Sequence, residues 1–139
     1  MASQTEESKA LLRRITDEIW TAGRVELIDD LIAEDFVDHV EIPGLEGVGR
    51  ERYRASVEAM RTAFPDYHEE IVWLLGEDDR AVSLALLSGT HRGPLYGMEP
   101  TGKTIEYHAM GALRFASGQA VERWGLGDSM AMMQQLGLF

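Results

Sequence analysis

Between Lys103 and Phe115 the large apolar residues Ile105, Tyr107, Leu113 and Phe115 all fall on one parity, and side chains of equal parity share one face of a strand. That alternation demands a β-strand with one buried face, and comparable runs lie on both sides of it. Residues 67–76 and 79–91 are β-rich and separated by the acidic turn Glu77-Asp78-Asp79, which predicts a hairpin. Residues 103–115 and 119–126 form another pair around Ser117-Gly118. The first half of the chain has a different period. From Thr5 the apolar positions Leu11, Leu12, Ile15, Ile19 and Trp20 recur at helical spacing up to Gly23, and Leu27, Ile28, Leu31 and Ile32 mark a second, short helix. A short strand over Phe36–Val40 precedes a turn region at Pro43, Gly44, Gly47 and Gly49. Tyr53, Val57, Met60 and Phe64 then trace a third amphipathic helix, ended by Pro65 because the residue before proline avoids helical backbone. Met130 to Leu136 reads as a short helical or irregular tail. Helices first and a long-stranded antiparallel sheet afterwards predict an α+β fold in which a curved sheet wraps onto three helices. Phe36, Val57, Met60, Phe64, Leu113 and Phe115 are expected in its core.

The apolar face of the 103–115 strand is bulky at both ends and nearly empty at Ala109 and Gly111. Protein interiors rarely tolerate large voids. Either a helix side chain such as Met60 fills the gap, or Gly111 marks a bulge, or a ligand occupies the space.

With 139 residues the chain fits one domain over residues 1–139. It has no cysteine, so disulfides and thiolate metal sites are excluded and a cytoplasmic location is the default. The N-terminal stretch lacks an apolar signal core, and no run of about 18 apolar residues could span a bilayer, so no membrane partner is expected. A formal net charge of −11 repels phosphate backbones, which argues against nucleic acid. Four histidines in four separate segments show no metal-ligand spacing, and Gly44, Gly47 and Gly49 form no dinucleotide fingerprint. No metal and no cofactor are therefore inferred.

Short segments distributed along the chain carry a resemblance. They are Trp20-Thr21-Ala22-Gly23, Asp35-Phe36-Val37-Asp38-His39, Phe64-Pro65-Asp66, Gly89-Thr90-His91-Arg92-Gly93, Gly97 to Lys103, Leu113-Arg114-Phe115, Glu122-Arg123-Trp124 and Gln135-Leu136-Gly137. In this order they are similar to the SnoaL-like polyketide cyclases of the nuclear transport factor 2-like superfamily. The resemblance implies a three-helix cone closed by a curved sheet, a homodimer, and an apolar pocket for a small molecule. Within that superfamily such pockets host aldol cyclisation, hydroxylation, isomerisation or binding alone, so fold does not settle function. The pocket histidine and the acid/base aspartate of anthracycline cyclases align with Gly111 and Gly125. Glycine offers no proton, so this chain either moved its base or lost the chemistry, and both glycines would enlarge the pocket.

Alternation from Phe36 carries Asp38 inward and His39 outward. Asp38 reads as a candidate base, matching a carboxylate on the equivalent strand of ketosteroid isomerases, or as a hydrated cap of the turn near Pro43. Arg123 shares a face with Gly125 and needs an anionic partner if buried, either Asp38 or an anionic group on the ligand. Asp128 matches the family's acidic position after the last strand and equally suits a helix N-cap. His91 and His39 are candidate ligand contacts, whereas His108 lies on the parity opposite the apolar face and His68 is expected at the surface. Trp20, Met60, Phe64 and Tyr107 are the expected apolar walls. The reading that follows is cofactor-free acid/base chemistry on a bulky apolar carbonyl metabolite, with Asp38 as base, Arg123 stabilising the oxyanion, and Asp128 a minor candidate. The rivals are a non-catalytic binding protein and a hydroxylase or epoxide hydrolase of the same fold; the absence of an acid at Gly125 argues against the epoxide hydrolase.

Overall fold

The computed structural model describes residues 2–139. Ser3 caps the first helix, its hydroxyl accepting from the backbone N–H of Glu6 at 3.1 Å, and α1 (Gln4–Arg14) has Glu6 and Glu7 in its first turn and Arg13 and Arg14 in its last. Both charge placements complement the helix dipole. The helix continues over Ile15–Thr21 in the wider π geometry, a rare form that is frequent at functional sites. Gly23, at φ +75°, then turns the chain out of the helix. A 3₁₀ turn (Val25–Leu27), α2 (Ile28–Leu31) and β1 (Ile32–Asp38) follow. Ile32, expected in a helix, begins this strand, which starts earlier than the sequence suggests and ends at Asp38. Next come α3 (Gly49–Ala63), β2 (His68–Glu77), β3 (Arg80–Thr90), β4 (Thr104–Ala116), β5 (Gln119–Gly127) and α4 (Ser129–Gln135).

The sheet order is β1-β5-β4-β3-β2. β2 to β5 are antiparallel neighbours, as the two hairpins predict, and the β4–β5 turn places Ser117 at φ +53° and Gly118 at φ +78°. Two left-handed residues give the turn whose twist matches the flanking strands. β1 departs from the expectation of an antiparallel sheet, because it pairs parallel to β5. A tight turn cannot join parallel strands; here α3 and three strands intervene, so packing rather than a turn decides the direction of β1. The sheet is therefore mixed within an α+β fold.

Two clusters of buried apolar side chains share the inner face of the sheet. One gathers Ile15, Ile19, Ile28, Phe36, Tyr53, Val57, Leu113 and Phe115, and the other Phe64, Tyr67, Leu87, Ile105, Tyr107, Met132 and Leu136. Trp20 packs against both. Of the expected core residues only Met60 is not fully buried. On the outer face Trp73, Leu84, Met110 and Leu126 sit side by side in register across β2, β3, β4 and β5, and Trp73, Met110 and Leu126 remain exposed.

The end of α3 docks against the loop after β3 at close range. Arg92 and Gly93 donate backbone N–H bonds to the carbonyl of Ala63 at 2.9 and 3.1 Å. A Cβ on Gly93 would lie 2.2 Å from the carbonyl oxygen of Thr62, far inside van der Waals contact. Gly93→Ala must separate the helix end from the loop, and is expected to destabilise the protein by about 2–4 kcal/mol, read as a lower urea midpoint at unchanged m-value.

Candidate functional site

The gap between the two core clusters is a cavity of about 430 Å³. Its floor is made of small residues. Ser83, Gly111 and Gly125 form one row across β3, β4 and β5, and Ala85, Ala109 and Gly127 form the next, and all six line the cavity. The empty middle read on the 103–115 strand is thus one part of a patch spanning three strands. A Cβ at Gly111 would meet nothing closer than the Trp124 carbonyl oxygen at 3.9 Å, whereas one at Gly125 would press on Val40 Cγ2 at 3.1 Å. Trp20, Met60 and Tyr107 line the cavity.

At one end stands a charged cluster set up by the β1–β5 pairing, in which Asp38 is the register partner of Arg123. Arg123 grips the Asp38 carboxylate with two parallel bonds, Nε to Oδ1 at 3.0 Å and Nη2 to Oδ2 at 2.5 Å. Arg52 of α3 approaches the same Oδ2 at 3.1 Å through Nη1, while its Nη2 donates to the Val40 carbonyl at 3.1 Å. The Asp38 side chain is 2% exposed, so two guanidiniums share one buried carboxylate and leave one net positive charge. The Arg123 guanidinium also lies over the ring of Tyr53 at 4.8 Å and that of Trp20 at 5.5 Å. Burial works against its charge, but the bonds to Asp38 and the negative charges of Asp38 and Glu69 outweigh this and hold it protonated. Its Nη1 makes no hydrogen bond among the described residues. The Tyr53 hydroxyl accepts from Trp20 Nε1 at 2.7 Å. Burial pushes the Tyr53 phenol up to about 12 despite Arg123, so it stays a neutral donor.

A second acidic group lines the cavity from β2. The Tyr67 hydroxyl donates to Glu69 Oε1 at 2.5 Å, and the Glu69 backbone N–H is held by Thr21 Oγ1 at 3.0 Å. Burial raises the Glu69 carboxyl to about 7, against the opposing pull of the Tyr67 bond and the Arg123 charge, with Asp17 adding to the rise. Sequence reasoning passed over Tyr67 and Glu69. Their signal is a shared parity with Ile71, but β2 carries a bulge between Ile71 and Trp73, and the unbroken run Val72-Trp73-Leu74-Leu75 hides which face is inner.

Other expected site residues lie elsewhere. Asp38 points inward as alternation predicts, yet it sits behind Arg123 and does not line the cavity. His39 borders the cavity, with its half-exposed ring stacked on Trp124 at 5.2 Å and bonded to Glu122 Oε2 at 2.6 Å. Phe64 is fully buried in the second core cluster against Gly89 and His91, outside the cavity lining. His91 is equally buried there; its Nδ1 accepts from the Thr101 backbone N–H at 3.1 Å and ties together the two ends of the loop between β3 and β4. Asp128 caps α4, accepting from the Ala131 N–H at 3.1 Å, and also lies outside the lining. Capping explains it, because a helix start leaves backbone donors that a side-chain oxygen satisfies.

No helix among the described residues is long and apolar enough to cross a membrane. No curated protein matches the chain. Among solved structures it is similar to TsrD from Streptomyces laurentii, at 20% identity and TM-score 0.85, covering 96% of this chain and 97% of that one. It is also similar to a proposed polyketide cyclase from Bacillus cereus, at 29% identity and TM-score 0.79 over 96% of this chain and 82% of that one. AclR, a proposed hydroxylase from Streptomyces galilaeus, shares 26% identity at TM-score 0.82, over 97% and 83% of the two chains. The model of SnoaL-like polyketide cyclases matches residues 10–136. With that match over nearly its whole length, and with the fold those structures share, this chain belongs to the SnoaL-like polyketide cyclase family and has the nuclear transport factor 2-like fold.

Proposed function

We propose that the cavity binds a bulky, largely apolar carbonyl compound and promotes cofactor-free proton transfer on it, as in aldol cyclisation or isomerisation. The observation that supports this reading most is Arg123. Its guanidinium is locked by Asp38 on two nitrogens, its third, Nη1, makes no hydrogen bond among the described residues, and Arg123 lines the cavity together with the neutral Tyr53. A carbonyl oxygen placed there meets a fixed positive charge and a hydroxyl donor, and negative charge developing on that oxygen is stabilised without reorganisation. Asp38 then acts as the positioning residue of Arg123, since two guanidiniums already occupy its carboxylate. A second reading, binding without turnover, draws on the two facing glycines at the positions where anthracycline cyclases carry their acid/base pair.

The outer face supports a further element of this reading, a homodimer. The apolar row Trp73, Leu84, Met110 and Leu126 leaves three large side chains exposed side by side, and a second copy would cover it. Trp73→Glu is expected to shift the sedimentation coefficient to that of the monomer; a wild type that already sediments as a monomer disposes of the dimer.

The cavity is tested with 2-tetralone, an apolar bicyclic ketone, followed by titration calorimetry. Gly111→Leu projects into open floor, so it is expected to weaken 2-tetralone binding at least about tenfold while leaving the thermal midpoint unchanged or higher. Unchanged affinity would remove the cavity from the proposal. Asp38→Asn leaves two buried guanidiniums without their anion, and a loss of about 3–5 kcal/mol in urea denaturation is expected.

A further inference from the structure

The proposed chemistry needs a proton acceptor that the family-aligned glycines do not provide. Three carboxyl groups come near the cavity. Asp38 is covered by Arg52 and Arg123, and Glu41 stands at the exposed rim. Glu69 differs from both. It lines the cavity, no arginine or lysine pairs with it, and only Oε1 is engaged, by the Tyr67 hydroxyl. Oε2 makes no hydrogen bond among the described residues. Its backbone is pinned by Thr21 from the π-helical stretch, so the carboxyl is aimed by two separate elements.

Placement supports the same choice. Glu69, Leu87 and Tyr107 form a row across β2, β3 and β4, at one end of the small-residue floor, and Arg123 extends from β5 at the other. Glu69 and Arg123 line the same cavity, and each lies within the other's electric field. We infer that Glu69 is the catalytic acid/base: it removes and returns the proton at the carbon beside the carbonyl whose oxygen Arg123 holds, with Tyr67 as its positioning residue. This inference rests on the function proposed above. In the step, a carbon–hydrogen bond of the ligand breaks, its electron pair moves into an enolate whose oxygen faces Arg123, and Glu69 keeps the proton. The enolate carbon then either recovers the proton from Glu69 or attacks a second carbonyl of the same molecule, forming a carbon–carbon bond while the new alkoxide takes the proton. Charge and atoms balance with no oxidant or cofactor.

The groups facing Glu69 are Tyr67 before β2, Arg123 on β5, Asp17 on the π-helical stretch, Tyr53 on α3 and Tyr107 on β4. Burial dominates and places the carboxyl at about 7, close to the working range of a general base. A base must be ionised, so activity rises as pH rises through about 7 and falls as Glu69 protonates below it. The Tyr67 bond favours the ionised form, so removing it moves this midpoint upward.

The test is hydrogen–deuterium exchange at the carbon alpha to the carbonyl of 2-tetralone in D₂O, followed by NMR. The wild type is expected to accelerate exchange with an acid limb near pH 7. Glu69→Gln, which keeps an acceptor for Tyr67, is expected to slow it on the order of 100-fold while binding 2-tetralone within about threefold of wild type. Tyr67→Phe is expected to retain activity with its acid limb shifted to higher pH; a purely structural Tyr67 would lower the rate without moving the limb. Exchange by the wild type with an equal rate in Glu69→Gln eliminates Glu69 and leaves the functional reading standing. If 2-tetralone binds and the wild type gives no acceleration, the functional reading itself falls in favour of binding without turnover. Should Glu69→Gln not fold, an unshifted acid limb in Tyr67→Phe overturns the assignment.

Discussion

The Asp38 carboxylate is the point on which three elements meet. It lies on β1, accepts two bonds from Arg123 on β5, and takes a further contact from Arg52 on α3. Breaking a buried ion pair by removing one partner leaves an uncompensated charge out of water, which costs several kcal/mol. The strand that no tight turn can place is therefore held by a contact that is costly to lose. The same contact sets the Arg123 side chain at one fixed orientation, and the rings of Tyr53 and Trp20 support its face. What keeps the edge strand in the sheet also fixes the direction of Arg123 Nη1.

Around that cluster the structure has to keep a space open, against the tendency of interiors to close at crystal-like density. It does so by dividing the core. One apolar cluster is built on the first helix, α3 and the ends of β1 and β4, the other on the end of α3, the middle of the sheet and α4. Each is closed by aromatic side chains facing the gap, Tyr53 on one side and Tyr67 and Tyr107 on the other. The floor between them is two rows of Gly, Ala and Ser, too short to reach across. Tyr53, Tyr67 and Tyr107 all have raised phenols because burial disfavours the phenolate. They stay neutral donors, so the cavity presents their hydroxyls beside the Arg123 cation and the Glu69 carboxyl, although the whole chain carries −11.

The hairpins, the helical segments and the inward parity of Asp38 and Arg123 were all legible, because each is a local pattern. Period 2 over 103–115 states which side chains share a face, and Ser117-Gly118 states the turn. The capping alternative for Asp128 was legible for the same reason, as its partner Ala131 is three residues away. His91 and Phe64 lie outside the cavity lining although both fall in segments similar to the family. Both pack at the docking of α3 onto the loop after β3, where Gly89 and Gly93 allow near contact. Glu69 went unseen because the bulge in β2 shifts the parity within an unbroken apolar run, and a single chain offers no partner strand against which to read the shift.

By itself the sequence determined most of the helical and strand segments, the inner faces of β1, β4 and β5, the run of small residues at Ala109 and Gly111, and the family that the resemblance implied. These depend on spacing along one chain. Tertiary structure alone decided that β1 runs parallel to β5, that Asp38 serves two arginines and is closed off from the cavity, and that a second carboxyl with one free oxygen lines the cavity with Arg123. Each of these depends on residues far apart in the chain arriving at one place. An isolated carboxylate reads the same in a sequence whether a guanidinium, a phenol or water will face it, and its proton affinity is set by which of them does.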